Sequence, residues 1–180
     1  MLQQTQVARV EEYWTRFLGR YPRVEDLAAA SSDAVVRSWA GLGYYARARN
    51  LHATARAVVR DHGGAFPADP ETLRTLPGIG RYTAGAVASI AFGADVGAVD
   101  TNVARVLARV FRVRGARKSA RHQRRLWTLA HGLVPRGRAG DWNQALMDLG
   151  ATICTARAPR CPACPVRPAC GSRVRFAPEA

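Results

Sequence analysis

All four cysteines of this 180-residue chain fall between Cys154 and Cys170, in "CTARAPRCPACPVRPAC". The spacing is C-x6-C-x2-C-x5-C, and randomly placed thiols would scatter rather than gather, so the pattern asks for a common partner. Disulfides need an oxidising compartment. The opening residues "MLQQTQVARV" show no basic-then-apolar signal pattern. The longest weakly polar run, Ala84 to Ala94, stops at Asp95 and is too short to cross a membrane. The expectation is a cytoplasmic protein with no membrane partner, in which structural disulfides are disfavoured. Zinc fits the knuckle Cys161–Cys164, although Cys154 and Cys170 stand alone rather than forming a second knuckle. A [4Fe–4S] cluster takes four thiolates from one wrapped loop with positive charge nearby. Here Pro162, Pro165 and Pro168 make the loop irregular, and Arg157, Arg160 and Arg167 supply charge. Spacing favours iron–sulfur and leaves zinc open.

The length suffices for a core without cysteine staples, as one large domain or two small intertwined ones. The formal net charge is +14, carried by 26 arginines and a single lysine, Lys118. Such usage can follow from the base composition of the gene. Whatever its origin, the surface attracts polyanions, nucleic acid foremost. Neither end offers the basic amphipathic helix of a membrane-surface protein.

Helical periodicity dominates. Val10, Trp14, Phe17 and Leu18 share one helical face, ended by Pro22. Tyr44 to Gly64 reads as a long amphipathic helix closed by two glycines. Asp69, Pro70 and Glu71 form a helix start, with Asp69 as cap. Val103, Val106, Leu107, Val110 and Phe111 give an apolar stripe, while Arg105, Arg109 and Arg112 line another face. Two more helices are expected around Arg121 to Val134 and Trp142 to Ile153. No alternating strand pattern occurs, so the fold class is all-α.

In "LPGIGRYTAGAV", from Leu76, Pro77 ends a short helix, and Gly78 and Gly80 predict a tight turn with positive backbone torsions. A helix starts at Arg81. Such a turn leaves backbone N–H groups free at a helix N-terminus, where a phosphate can sit; an ordinary helix–helix turn is the plainer reading. Asp100, in "AVDTNVARVLARVF", precedes the next helix. It is either a simple N-cap or a carboxylate placed to face a developing cation.

These motifs, followed by the cysteine spacing, resemble the helix–hairpin–helix DNA glycosylases of the endonuclease III superfamily. "MLQQTQV" and "GLGYYARARNL" resemble, more narrowly, the MutY-type adenine DNA glycosylases. The resemblance runs from Met1 to about Cys170 and implies a two-lobed helix–hairpin–helix fold with an iron–sulfur loop. Residues 1–20 would be part of an N-terminal helix region. Residues 21–115 would form a helical barrel with the hairpin at 76–80, and 116–180 a cluster lobe with the cysteine loop at 154–170. The implied substrate is double-stranded DNA with adenine opposite 8-oxoguanine or guanine, the adenine flipped out between the lobes. Asp100 would stabilise the oxocarbenium-like sugar, with Tyr82 and Asn102 in support. Gln4 and Tyr44 would probe the orphaned base and wedge the duplex; Leu2 and Gln144 would lie around the adenine. Gly78, Gly80 and Arg81 would meet DNA, and Cys154, Cys161, Cys164 and Cys170 would hold a [4Fe–4S] cluster. Plainer roles exist: Tyr44 as core aromatic, Gln4 as a solvated helix residue, Gln144 as a surface position. The implied state is a monomer, cytoplasmic and nucleoid-associated.

Bifunctional relatives carry a lysine where this chain has Tyr82, so the resemblance implies a monofunctional glycosylase without a Schiff-base step. The chain departs from the family in one catalytic respect. The family's general acid, a glutamate two residues before the methionine of "MLQQT", has no counterpart here, because that methionine is Met1. The 8-oxoguanine-recognition domain has none either. The expectation is a miscalled start or a fragment, with weakened activity as it stands. The rivals are a thymine mismatch glycosylase of the same superfamily and a non-catalytic lesion-binding protein.

Overall fold

The computed structural model describes Met1, Thr5 and residues 7–173; the expectations for Leu2 and Gln4 lie outside the described residues. Nine α-helices and no strand occur among the described residues. The chain divides into two compact units, Met1–Pro67 with Glu71–Ile79, and Ala68–Pro70 with Gly80–Ala180.

The first unit holds α1 (Val7–Arg20), α2 (Val24–Ala29), α3 (Ser32–Ser38) and α4 (Ala46–His62), and most of α5 (Pro70–Leu73). Its core gathers Val10, Phe17, Tyr21, Leu27, Val35, Trp39 and Leu42. Trp14 and Leu18, on the same helical face in the sequence pattern, are 53% and 41% exposed. The buried stripe centres on Val10, Phe17 and Tyr21; at about 100° per residue Trp14 and Leu18 are rotated outward from it by about 40° and 80°. α2 and α3 are too short for their periodicity to register in sequence. Local caps start them instead: Arg23 N donates to Asp26 Oδ2 at 3.0 Å, and Ser31 Oγ accepts from Ala34 N at 3.2 Å. α4 ends where Gly63, at φ 60°, enters the left-handed region.

The second unit holds α6 (Arg81–Phe92), α7 (Thr101–Val110), α8 (Ala120–Gly132) and α9 (Ala139–Asp148), around Val103, Val106, Leu107, Leu126 and Trp127. Phe111, the last residue of the apolar stripe read from the sequence, is exposed. The helix ends at Val110 and Arg112 turns to φ 51°, so the helical period stops one residue short of Phe111. α9 runs into a π-helical turn, Leu149–Ile153, and then the cysteine loop, which carries single 3-10 turns at Cys161–Ala163 and Arg167–Ala169.

Candidate active site and cysteine centre

Asp100 caps α7, as its position in the sequence suggests: Oδ1 accepts from Val103 N at 2.7 Å. The cap occupies one oxygen. The other, Oδ2, accepts from Asn102 Nδ2 at 3.1 Å. Asn102 in turn is held through its Oδ1 by Arg105, 2.8 Å away. Arg105 also donates to the carbonyls of Gly150 and Cys154, each at 2.7 Å. A chain of hydrogen bonds thus runs from the carboxylate to the first residue of the cysteine loop.

Tyr82, one residue into α6, is half-buried, and its phenol is pushed above the usual range by burial and then by the Asp100 carboxylate. The Tyr82 hydroxyl reaches Met147 Sδ on α9 at 3.7 Å. Gln144 is exposed one turn earlier on α9, its amide donating to Gly140 O at 3.3 Å.

The loop before Asp100 is fixed by two side chains that sequence reasoning missed. Asn143, fully buried, accepts from Ala98 N at 3.0 Å and donates to Ser89 Oγ and Val96 O, each at 2.9 Å. His131 Nδ1 accepts from Gly97 N at 3.1 Å. Gly150 is a third omission. A Cβ there would sit 2.6 Å from Asn102 Cβ, so only glycine lets the π-turn lie against the residue that holds the carboxylate. The π-turn itself gives no sequence signal. Arg105 and Arg109 were legible as lining one face of the helix with Arg112, but not their targets.

The four cysteines, all partly buried, line one cavity with Val106, Arg109, Leu149, Ile153, Val166 and Arg167. Burial pushes the Cys161 thiol up, and Cys154, Cys164 and Cys170 push it further, while Arg109 opposes them. Arg109 Nη1 lies 3.3 Å from Cys154 Sγ and also reaches Thr155 O at 2.7 Å. Arg167 Nε is buried at this cavity with no hydrogen-bond partner. Of the loop arginines read as charge suppliers, Arg160 is committed elsewhere, to Thr152 O at 2.6 Å. Among the described residues, no three His, Cys, Asp or Glu side chains gather around the position of a single metal ion.

In the first unit the hairpin is tied to α4. Thr54 Oγ1 donates to Pro77 O at 2.6 Å, and a Cβ on Gly78 would meet Asn50 at 2.6 Å. Gly78 has φ 73°, as the tight turn requires. Gly80 corrects the expectation: at φ −84° and ψ 175° it is extended backbone at the head of α6, where any residue fits the torsion. Arg81 lies over the Trp127 ring, 4.0 Å from its centroid. Tyr44 is no core aromatic. It is 64% exposed, at φ 47°, with the Arg47 guanidinium 5.5 Å from its ring centroid. Arg47 also donates to Met1 O at 2.8 Å and Leu42 O at 3.1 Å, so it fixes the turn that presents Tyr44.

Residues 1–131 match the family described as HhH-GPD superfamily base excision DNA repair protein. The chain belongs to that superfamily. Among curated relatives, the human adenine DNA glycosylase is 52% identical over 99% of this chain and 33% of its own length. The adenine DNA glycosylase of Mycolicibacterium smegmatis is 47% identical over 92% of this chain and 56% of its own. The chain thus spans a third to somewhat over half of these relatives. A thermostable thymine-DNA glycosylase structure superposes with TM-score 0.86 at 33% identity, covering 97% of this chain and 80% of that one. An endonuclease III structure in a non-covalent DNA complex gives 0.80 at 27%, with the same coverages.

Proposed function

We propose that this chain is the core of a monofunctional base-excision repair DNA glycosylase, which removes adenine mispaired with 8-oxoguanine or guanine from double-stranded DNA. The observation that carries the reading is the carboxylate of Asp100, held by a backbone N–H and an amide, together with a tyrosine rather than a lysine at position 82. Hydrolysis of an N-glycosidic bond passes through a sugar with oxocarbenium character. A fixed carboxylate lowers that barrier because it is oriented before charge develops. With tyrosine rather than lysine at position 82, water rather than a Schiff base completes the reaction. Asn102 sets the angle of the carboxylate, and Gln144 and Tyr44 contact the flipped adenine and the opened duplex. Gly78, Gly80 and Arg81 meet the phosphate backbone. Similarity favours adenine over thymine: 52% identity to the human adenine glycosylase against 33% to the thymine glycosylase structure. The chain would act as a monomer on nucleoid DNA in the cytoplasm.

The donor set at the cysteine cavity supports a [4Fe–4S] cluster over zinc. Four thiols surround a cavity rather than a point, Arg109 lies against one sulfur, and Arg167 offers an unused N–H. Cys154, Cys161, Cys164 and Cys170 would hold the cluster. Its contribution is structural: it pins the loop and the Cys154 carbonyl that anchors Arg105.

The test is single-turnover base release from duplexes carrying adenine opposite 8-oxoguanine and thymine opposite guanine. It is run on this chain and on a form extended upstream to place a glutamate two residues before Met1. Adenine release, abolished by Asp100→Asn, is expected, and the extended form should be faster by about 10²–10⁴-fold, the usual contribution of a positioned acid. Release of thymine alone would transfer the assignment to the mismatch glycosylases. Tight lesion binding with no release from either form would make this a binding protein.

A further inference from the structure

Positive charge in this chain is distributed unevenly. Residues 101–140 hold eleven Lys and Arg residues and no Asp or Glu. Six of them, Arg114, Arg117, Lys118, Arg121, Arg124 and Arg125, are exposed on the loop before α8 and on its first two turns. None of the six side chains makes an ion pair or hydrogen bond among the described residues. Five other exposed arginines, Arg16, Arg23, Arg60, Arg74 and Arg138, each face a carboxylate within 4 Å, whereas Arg37, Arg49 and Arg56 are exposed without an ion pair among the described residues but scattered rather than gathered.

The loop is built rather than loose. Ser119 Oγ caps α8 by accepting from His122 N at 3.3 Å, and Ser119 N donates to Ala116 O at 2.9 Å. Gln123 Nε2 donates to Arg117 O at 2.6 Å. The backbone is tied to the helix while the cationic side chains stand clear. Their place also opposes helix stability: the first turn of α8 carries Arg121 and no acid, although a helix N-terminus favours negative charge. A charge set against the dipole and left unpaired is suited to an external anion.

Geometry indicates which anion. Arg81 starts α6 and rests on Trp127 of α8. Arg124 lies one turn before Trp127 on the same face, and Arg121, Lys118 and Arg117 follow toward the start of the helix. From Trp127 to Ser119 the axis advances about 12 Å at 1.5 Å per residue. One strand of duplex DNA presents a phosphate about every 3.4 Å of axis, so the track matches three or four of them.

We propose that the loop and first turns of α8 form a second phosphate-contacting surface for duplex DNA, continuous with Arg81 and lengthening the footprint beyond the site of base release. This extends the glycosylase reading but is tested apart from it, on undamaged DNA. The variant Arg117→Gln/Lys118→Gln/Arg121→Gln/Arg124→Gln is compared with Arg23→Gln/Arg60→Gln/Arg74→Gln/Arg138→Gln, which removes equal charge elsewhere. The readout is the slope of log K against log salt for a long undamaged duplex. The first variant should flatten the slope by about three, at roughly 0.9 per phosphate released, and the second should leave it unchanged. The double variant Lys118→Gln/Arg121→Gln should give about half that loss, which a folding defect would not reproduce. Equal loss in both quadruple variants would overturn the proposal in favour of diffuse charge, and no loss in the first would overturn it outright. So would a loss confined to single-stranded RNA.

Discussion

Arg105 is the residue whose removal should do most damage out of proportion to its exposure. Its guanidinium makes three short hydrogen bonds, to Asn102 Oδ1 at 2.8 Å and to the Gly150 and Cys154 carbonyls at 2.7 Å. A bond from a charged donor contributes about 1.5–3 kcal/mol net, so a simple sum would exceed about 4.5 kcal/mol. Two facts reduce it. Arg105 is only partly buried, so water replaces some of what is lost, and the Cys154 carbonyl keeps Arg109 Nη1 at 3.3 Å. About 3 kcal/mol is a fair figure for Arg105→Met, which fills similar space and cannot donate. For a chain of this length that lowers Tm by about 6–12 °C, read by calorimetry. Base release should fall as well, because Asn102 loses its anchor and Asp100 then loses Asn102. Arg105→Lys should recover only part, since one ammonium cannot span three acceptors set for a planar fork. Wild-type melting in Arg105→Met would refute the network as a source of stability. Lowered melting with undiminished single-turnover release would refute its link to the carboxylate.

Gly78→Ala combines a φ of 73° with a Cβ only 2.6 Å from Asn50, so it should cost about 1–3 kcal/mol in a urea titration. Adding Asn50→Ala should relieve the overlap but not the torsion, giving partial rescue. His131 has its pKa lowered, first by burial and then by Arg81, and its neutral Nδ1 accepts the Gly97 N–H. Its stabilising contribution is therefore fully present above the unfolded value near 6.5 and lost as pH falls through the folded value. Urea midpoints measured from pH 8 to pH 5 should decline, and His131→Gln should flatten that decline. Cys164→Ser should cost bound iron, DNA binding and folding stability together; full DNA binding by the iron-free variant would refute the structural role of the cluster.

What the sequence exposed depended on the range of each interaction. The cap at Asp100, the tight turn at Gly78 and the apolar stripe of α7 are decided by neighbours within one or two turns, and each was readable. The cysteine spacing was readable as a shared site because its residues are close in the chain. Asn143 was not, because its partners lie 45 to 54 residues away and nothing local marks a buried amide. Gly150 was invisible for the same reason: its need for no side chain comes from Asn102, in another helix. Trp14 and Leu18 show the limit of a periodic pattern, which gives a face but not how wide a strip of it the neighbouring helices cover.

The two readings of Asp100, helix cap and catalytic carboxylate, are not alternatives. Capping consumes Oδ1 and fixes the side-chain torsions, which is what pre-orients Oδ2 beside Asn102. Asp100→Asn separates the roles because asparagine caps a helix about as well as aspartate. With its oxygen committed to Val103 N, the new amide NH2 must face Asn102 Nδ2, donor against donor. The substitution therefore removes the charge and disturbs Asn102 while sparing the cap. Near-native melting with base release abolished is the signature of that division. A large loss of stability would mean that the charge itself, acting on the α7 dipole, outweighs the cap hydrogen bond.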